Sequence, residues 1–280
     1  MGRVNYFYPR WGAEHIDWVV FLDRVKNEGY KGIEWFPFGE ISLVDYDRVF
    51  GLLEERGLQY CIVMAVQDSY ETFEDYLLLL EKQLFMLSDL GRLKPLFISA
   101  QVGREYFTID QISRCIHLCN QVEKQTGVSI FQETHRNKWS YGIHRLEPII
   151  ELFPDLKLTL DISHWFCVSE SFLEDQQFLL SKILHHVHHV HCRVGHTQGS
   201  QVHDVSHIMY EDIVQKHTKV WQQYLDNKLS KEESYLTFTT EFGPPPYLIS
   251  CGDKDLDYQE QWRQNVWIKH YLENNLKYKL

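Results

Sequence analysis

A chain of 280 residues has room for one barrel-sized domain or for two smaller ones. With 44% apolar and 24% charged residues it has the composition of a packed globular protein, which excludes a disordered chain. Its net charge of −11 argues against a protein that lives by gripping phosphate backbones, so nucleic acid is not expected as a partner.

Along the chain, short β-type runs alternate with helical ones. The β-type runs are Arg3–Tyr8, Lys31–Phe36, Gln59–Met64, Pro95–Ala100, Ser129–Glu133, Leu156–Asp161, Val187–Arg193 and Tyr235–Glu241. Between the first two, Trp18, Phe21, Leu22 and Val25 recur at helical spacing, and Ile112, Cys115, Ile116 and Cys119 do so after the fourth. Thr108 with Gln111 reads as a capping box, and Asp257 with Glu260 resembles one. Gly29, Gly57, Gly91 and Gly127 each follow a helical run and precede a strand, where the left-handed residue that ends a helix is wanted. The six cysteines form no CxxC pair and read as reduced thiols, with Cys115 and Cys119 on a buried helix face. No stretch approaches the roughly 18 apolar residues of a membrane span, and the first residues carry no secretory hydrophobic region. A cytosolic protein that does not enter membranes is expected.

Strand–helix alternation implies a parallel sheet, and eight units imply closure. An open doubly wound sheet would want a glycine-rich phosphate loop after an early strand. Here the first strand runs instead into Pro9-Arg10-Trp11-Gly12. The expectation is an α/β fold with a single (β/α)8 barrel domain over residues 1–280. Two stretches depart from the regular pattern, Gly195–Gln201 after the seventh strand and the proline-rich Phe242–Tyr247 after the eighth. Both lie at the C-terminal ends of strands, where barrels build their active sites.

Four metal-competent side chains end four consecutive strands: Glu133, Asp161, His191 and Glu241. Side chains alternate across a strand, and the phases agree. Leu158, Leu160 and Ile162 face the helices and turn Asp161 inward. Val190, Cys192 and Val194 face out and leave His189, His191 and Arg193 inward. Leu236 and Phe238 face out and leave Glu241 inward. Three carboxylates buried together repel one another and raise each other's pKa. A divalent cation removes that cost. Three carboxylates with one imidazole suit Mn²⁺, Mg²⁺ or Co²⁺, with Zn²⁺ a further candidate. Among nearby residues, His164, Arg193 and His135 are candidate substrate contacts, and Glu34 reads as a supporting residue. Trp11, Trp35, Trp139 and Trp165 fit sugar stacking and core packing equally.

The chain resembles the xylose-isomerase-like superfamily of sugar isomerases and epimerases. The resemblance rests on Gly32-Ile33-Glu34, Glu133-Thr134-His135, Asp161-Ile162-Ser163-His164, His189-Val190-His191 and Glu241-Phe242-Gly243-Pro244. It implies one metal held by Glu133, Asp161, His191 and Glu241, with His164 touching substrate. The chemistry it implies is isomerisation or epimerisation of a sugar or sugar-like polyol or keto acid. The reaction would run through an enediolate, with Glu133 and Glu241 as acid and base, in carbohydrate metabolism. Dehydratases of the same superfamily are equally compatible. Two rival classes stand beside it. An apurinic-endonuclease-like hydrolase would want three zinc ions and histidines at the ends of strands 3 and 4, where Met64-Ala65-Val66 and Ser99-Ala100-Gln101 stand instead. Asp204 and His207 are the residues that speak for it. The other rival is a non-catalytic ligand-binding barrel.

Overall fold

The computed structural model describes residues 3–37, 44–66, 68–229 and 235–277. Eight parallel strands close into a barrel in chain order, with β8 paired back to β1. The strands are β1 (Arg3–Pro9), β2 (Gly32–Trp35), β3 (Gln59–Ala65), β4 (Phe97–Gln101), β5 (Ser129–Glu133), β6 (Leu158–Leu160), β7 (Val187–His191) and β8 (Tyr235–Thr239). All eight expected strands are present, and β6, β7 and β8 end before the residues that close their β-type runs. Asp161 leaves the ladder to cap the following helix, while Arg193 and Glu241 lie two residues beyond the last residues of β7 and β8.

The helices are α1 (Trp18–Asn27), α2 (Tyr46–Arg56), α3 (Phe73–Ser88), α4 (Ile109–Thr126), α5 (Glu147–Leu152), α6 (Ile162–Ser169), α7 (Gln177–Leu184), α8 (Glu211–Leu229) and α9 (Lys254–Asn275). Thr108 and Gln111 form the expected reciprocal box at the start of α4. Gly57 and Gly127 end α2 and α4 in the left-handed region, at φ 61° and 73°. The box expected at Asp257 and Glu260 is not one. Asp253 caps α9 four residues earlier, accepting from the amides of Asp255 and Leu256, and Asp257 lies inside the helix. There it accepts from Ser250 Oγ and the Cys251 amide, so its carboxylate ties the preceding loop to the helix.

The alternation of each strand divides the interior in two. Outward residues such as Tyr8, Ile33, Ile62, Ile98, Leu160, Val190 and Phe238 pack under the helices in one continuous core. Trp35, Trp139 and Trp165 belong to this core, and so do Cys115 and Cys119, which are reduced. Inside the barrel a second, small cluster of Phe7, Cys61, Phe97 and Phe131 fills the lumen, with the Phe97 and Phe131 rings stacked 4.6 Å apart. Inward positions become polar along the strands of one side: Phe97, Ser99, Gln101 in β4; Phe131, Glu133 in β5; Thr237, Thr239 and then Glu241 at β8. The apolar half plugs the barrel, and the polar half makes its mouth.

Close strand approach is tightest at the start of β2. A Cβ at Gly32 would lie 2.2 Å from the Gln59 carbonyl oxygen and 2.6 Å from the Phe7 ring. Backbone cannot yield there as a flexible side chain can, so Gly32→Ala is expected to lower stability by about 3 kcal/mol, the upper end of overpacking costs. Urea unfolding measures this directly, and a loss under about 1 kcal/mol would show that β2 and β3 separate easily.

Candidate metal centre

The mouth of the barrel gathers the residues singled out from the sequence. Glu133, Asp161, His191 and Glu241 are all buried. Ligand-capable atoms of Glu133, Asp161 and His191 lie within 4.8 Å of one another. Glu241 joins them through His191, whose Nδ1 lies 2.7 Å from Glu241 Oε2 and 3.7 Å from Glu133 Oε1. Although His191 Nδ1 and Glu241 Oε2 are close, neither makes a hydrogen bond of acceptable geometry, and both are shut off from solvent. Two orphaned buried atoms facing one another beside two further carboxylates are a costly arrangement in a protein. A shared cation relieves it, so the residues present fit a divalent metal.

The other side of His191 is held in place. Its Nε2 lies 2.9 Å from Glu34 Oε1. A buried carboxylate on one ring nitrogen orients the imidazole and leaves the other nitrogen to face the centre. Burial works against the charge on Glu34. The charges and hydrogen bonds of His191 and His189 nevertheless hold its carboxyl well below the usual range. Beneath it, His189 bonds Thr237 and Thr239 at 2.7 and 3.0 Å, so the Glu34–His189–His191 group is a hydrogen-bonded layer under the centre. Glu133 is supported likewise, since Gln101 Nε2 donates to both of its oxygens at 3.1 and 3.2 Å. Burial raises its pKa, and the charge of His191 offsets part of the rise. Asp161 is fixed as the N-cap of α6, with Oδ1 accepting from Ser163 N at 3.0 Å and Ser163 Oγ at 2.5 Å.

Arg193 alters the charge argument made from sequence. Its guanidinium is buried, donating from Nε to Asp161 Oδ2 at 3.0 Å and from Nη2 to Glu241 Oε1 at 2.6 Å. The protein itself therefore supplies one of the positive charges that the carboxylates need. Glu241 Oε1 accepts from the arginine, while Oε2 has no hydrogen bond.

His164 is fully buried, its Nε2 has no hydrogen-bond partner, and that atom lies 3.4 Å from Asp161 Oδ2. Burial pushes its pKa well below the ordinary value, and Arg193 and Arg136 push it further. Its Nδ1 receives a hydrogen bond from Arg136 Nη1 at 2.9 Å. His135 lies against it, tilted by 56°, with ring centroids 4.0 Å apart. His135, Arg193 and Glu241 line a cavity of about 230 Å³ together with Trp11, Gln101 and Tyr247. Of the four tryptophans weighed for stacking, Trp11 is the one at this cavity. Three participants carried no decisive sequence signal: Arg136 and Tyr247, which lie in loops, and Gln101. Gln101 stands at an inward position at the end of β4, which could have marked it.

The residues that spoke for a nuclease do not join the centre. Asp204 accepts from Arg263 Nη2 at 3.0 Å and from Ser206 Oγ at 2.6 Å. His207 accepts from the Met209 amide at the start of a 3-10 turn. Neither belongs to a metal-capable group among the described residues.

No family model matches the chain, and no curated protein is similar to it. Solved structures do match along nearly its whole length. A xylose isomerase domain containing protein from Salmonella typhimurium is 14% identical, with TM-score 0.64 over 95% of this chain and 97% of the other. D-allulose 3-epimerase from Methylomonas sp., in complex with D-allulose, is 12% identical, with TM-score 0.61 over 98% of each chain. Endonuclease IV from Thermus thermophilus is 16% identical, with TM-score 0.59 over 97% of this chain and all of the other. Further matched barrels hold a zinc atom or magnesium. At these identities what is shared is the fold, and the chain has the (β/α)8 barrel fold of these structures.

If Glu34 holds His191 in its ligating orientation, Glu34→Gln should weaken divalent-metal binding by roughly 10- to 100-fold. Titration calorimetry with Mn²⁺ reads the change, and equal affinities in variant and wild type would remove Glu34 from the centre's support.

Proposed function

We propose that the chain is a divalent-metal-dependent isomerase or epimerase acting on a sugar or a sugar-like polyol or keto acid. The observation that carries this reading is the facing pair of unpartnered atoms, His191 Nδ1 and Glu241 Oε2, between Glu133 and Asp161 at the mouth of the barrel. Glu133, Asp161, His191 and Glu241 would hold the metal, with Mn²⁺, Mg²⁺, Co²⁺ and Zn²⁺ as the candidates. When bound, the ion supplies polarisation of a substrate carbonyl and stabilisation of the negative charge that develops beside it.

The chain's own residues do the rest. Glu241 lines the cavity, and with Oε2 facing the metal position its Oε1, which accepts from Arg193 and keeps a second lone pair, would take a proton from the carbon next to the carbonyl. Glu133 lies deeper, with both oxygens held by Gln101; entering the cycle protonated, it would give its own proton in return, and exchange with solvent would then reset the two carboxyls. Return to the opposite face of the same carbon gives an epimer. Return to the former carbonyl carbon, with the hydroxyl proton passing from the neighbouring oxygen to the former carbonyl oxygen, gives an aldose–ketose pair. His164 presents Nε2 toward Asp161 and the reacting region, placed to donate to a substrate oxygen. Arg193 steadies Asp161 and Glu241 as charge moves between substrate and carboxylates. Trp11 and Tyr247, with ring centroids 5.5 Å apart, offer apolar faces to the substrate's carbon skeleton. A sugar-binding barrel of the same fold, complexed with D-allulose, supports the substrate class.

Two measurements test the reading. Elemental analysis of protein purified without chelator should find about one divalent ion per chain, lost in the Glu133→Gln, Asp161→Asn double variant. Three zinc ions would favour the nuclease reading, and no ion after soaking in manganese would end the metal-centre reading. Glu241→Gln should slow exchange of the substrate's α-proton with deuterated water by roughly 10²- to 10⁴-fold, the usual contribution of a positioned acid or base. Undiminished exchange in that variant would remove Glu241 from the proton transfer.

A further inference from the structure

Beside the cavity, across Tyr247, lies a smaller pocket of about 220 Å³ lined by Arg136, Ser200, Gln201, Pro246 and Tyr247. Its residues come from the loops after β5, β7 and β8, and none of them is acidic. Arg136 is half-buried, and no carboxylate lies within ion-pairing distance of it among the described residues. It donates to neutral acceptors: His164 Nδ1 at 2.9 Å, Ser200 Oγ at 2.5 Å and Tyr247 Oη at 2.9 Å. A guanidinium can only donate, so both hydroxyl oxygens accept and each keeps its own proton to give away. Neither hydroxyl proton has an acceptor among the described residues. Gln201, by contrast, is satisfied, accepting from Arg193 Nη1 and the Gly243 amide and donating to the Gly243 carbonyl.

The pocket thus holds an uncompensated positive charge and two O–H donors. Both Arg136 and Arg193 lie over the Tyr247 ring, at 5.2 and 4.5 Å from its centroid, so the ring is held between the pocket and the metal centre. The adjacent Arg193 cannot serve as the anion's partner, since Asp161 and Glu241 already engage it. A protein of net charge −11 gains nothing for its bulk electrostatics from one such arginine; a local anion explains its placement.

We infer that Arg136, Ser200 and Tyr247 form an oxyanion subsite that receives a phosphate or carboxylate group carried by the substrate. The substrate is then a sugar phosphate or a sugar acid, with its charged end in the small pocket and its reacting carbons in the larger cavity. The assignment to substrate rests on the proposed isomerase or epimerase reading, whereas the oxyanion subsite itself does not.

The first probe is inorganic phosphate, titrated by ³¹P NMR into wild type and Arg136→Met, each with and without prior chelation. Phosphate should bind the wild type with or without metal, and Arg136→Met should weaken it at least tenfold. Tyr247→Phe, which keeps the ring and removes one donor, should weaken it by a smaller factor. Three results would each overturn the subsite: no binding at about 10 mM phosphate, where even a millimolar ligand would be seen; binding that vanishes on chelation; or binding unchanged in Arg136→Met. Calorimetry with glucose, glucose 6-phosphate and gluconate then identifies the source of the anion. A charged sugar should bind at least tenfold tighter than both glucose and inorganic phosphate, and Arg136→Met should abolish the preference. Charged sugars no tighter than inorganic phosphate would mean that a free anion, not the substrate, occupies the pocket. Because phosphate binding does not depend on catalysis, Glu241→Gln separates the two readings: lost proton exchange bears on the reaction, and retained phosphate binding bears on the subsite.

Discussion

Four carboxylates, Glu34, Glu133, Asp161 and Glu241, are buried around two cationic side chains at one end of this barrel. That imbalance organises the mouth. Arg193 bridges Asp161 and Glu241, and His191 stands between Glu34 and Glu241. Burial opposes charge on His191, but Glu241, Glu34 and Glu133 together raise its pKa well above the ordinary value. A proton on His191 and a metal at Nδ1 are alternative answers to the same excess of negative charge. Glu34 serves both, because it receives the Nε2 proton in either case. The supporting carboxylate is therefore part of the charge balance as well as of the geometry.

The lumen shows how a barrel tolerates such a cluster. Phe7, Cys61, Phe97 and Phe131 close the interior with apolar packing; the His189, Thr237 and Thr239 layer sits above Phe97, and Cys61 Sγ reaches Glu34 Oε1 at 3.8 Å. Each polar atom of His189 finds a hydroxyl, so the transition from apolar plug to charged mouth leaves no orphan on that ring. The orphans begin one layer higher, at His191 Nδ1, Glu241 Oε2 and His164 Nε2. Glu241 lines the cavity, and the other two atoms lie just behind it, 2.7 Å from Glu241 Oε2 and 3.4 Å from Asp161 Oδ2, which distinguishes this group from scattered incidental burial.

The fold was legible because alternation is a local property. Leu158, Leu160 and Ile162, or Val190, Cys192 and Val194, fix which neighbours face inward without any knowledge of the partner strands. The same rule brought Asp161, His191, Arg193 and Glu241 to one place. Strand ends were less legible, since Asp161 serves the strand's phase but the helix's cap, and hydrophobic pattern does not reveal which hydrogen bond wins. Arg136 and Tyr247 were not legible at all. They lie in irregular loops and meet across 111 residues of sequence through a hydrogen bond and a cation–ring contact. The role of Arg193 was half-legible: its inward phase could be read, whereas its commitment to two particular carboxylates depends on distances that no pattern encodes.

The link between Arg136 and His164 has a consequence for the chemistry at the centre. Because Arg136 can only donate, His164 Nδ1 must carry the lone pair, and the neutral ring must carry its proton on Nε2. Burial keeps the ring neutral. A protonated Nε2 can donate to a substrate oxygen but cannot ligate a metal. The histidine-containing group of Glu133, His135 and His164 is thereby weakened as a second metal site, and the constellation is pulled toward a single ion. An anion bound to Arg136 would leave this tautomer in place, since the guanidinium has donors enough for both. The same arginine can therefore read the charged end of a substrate and set the proton that meets its reacting end, which ties recognition to chemistry through one imidazole.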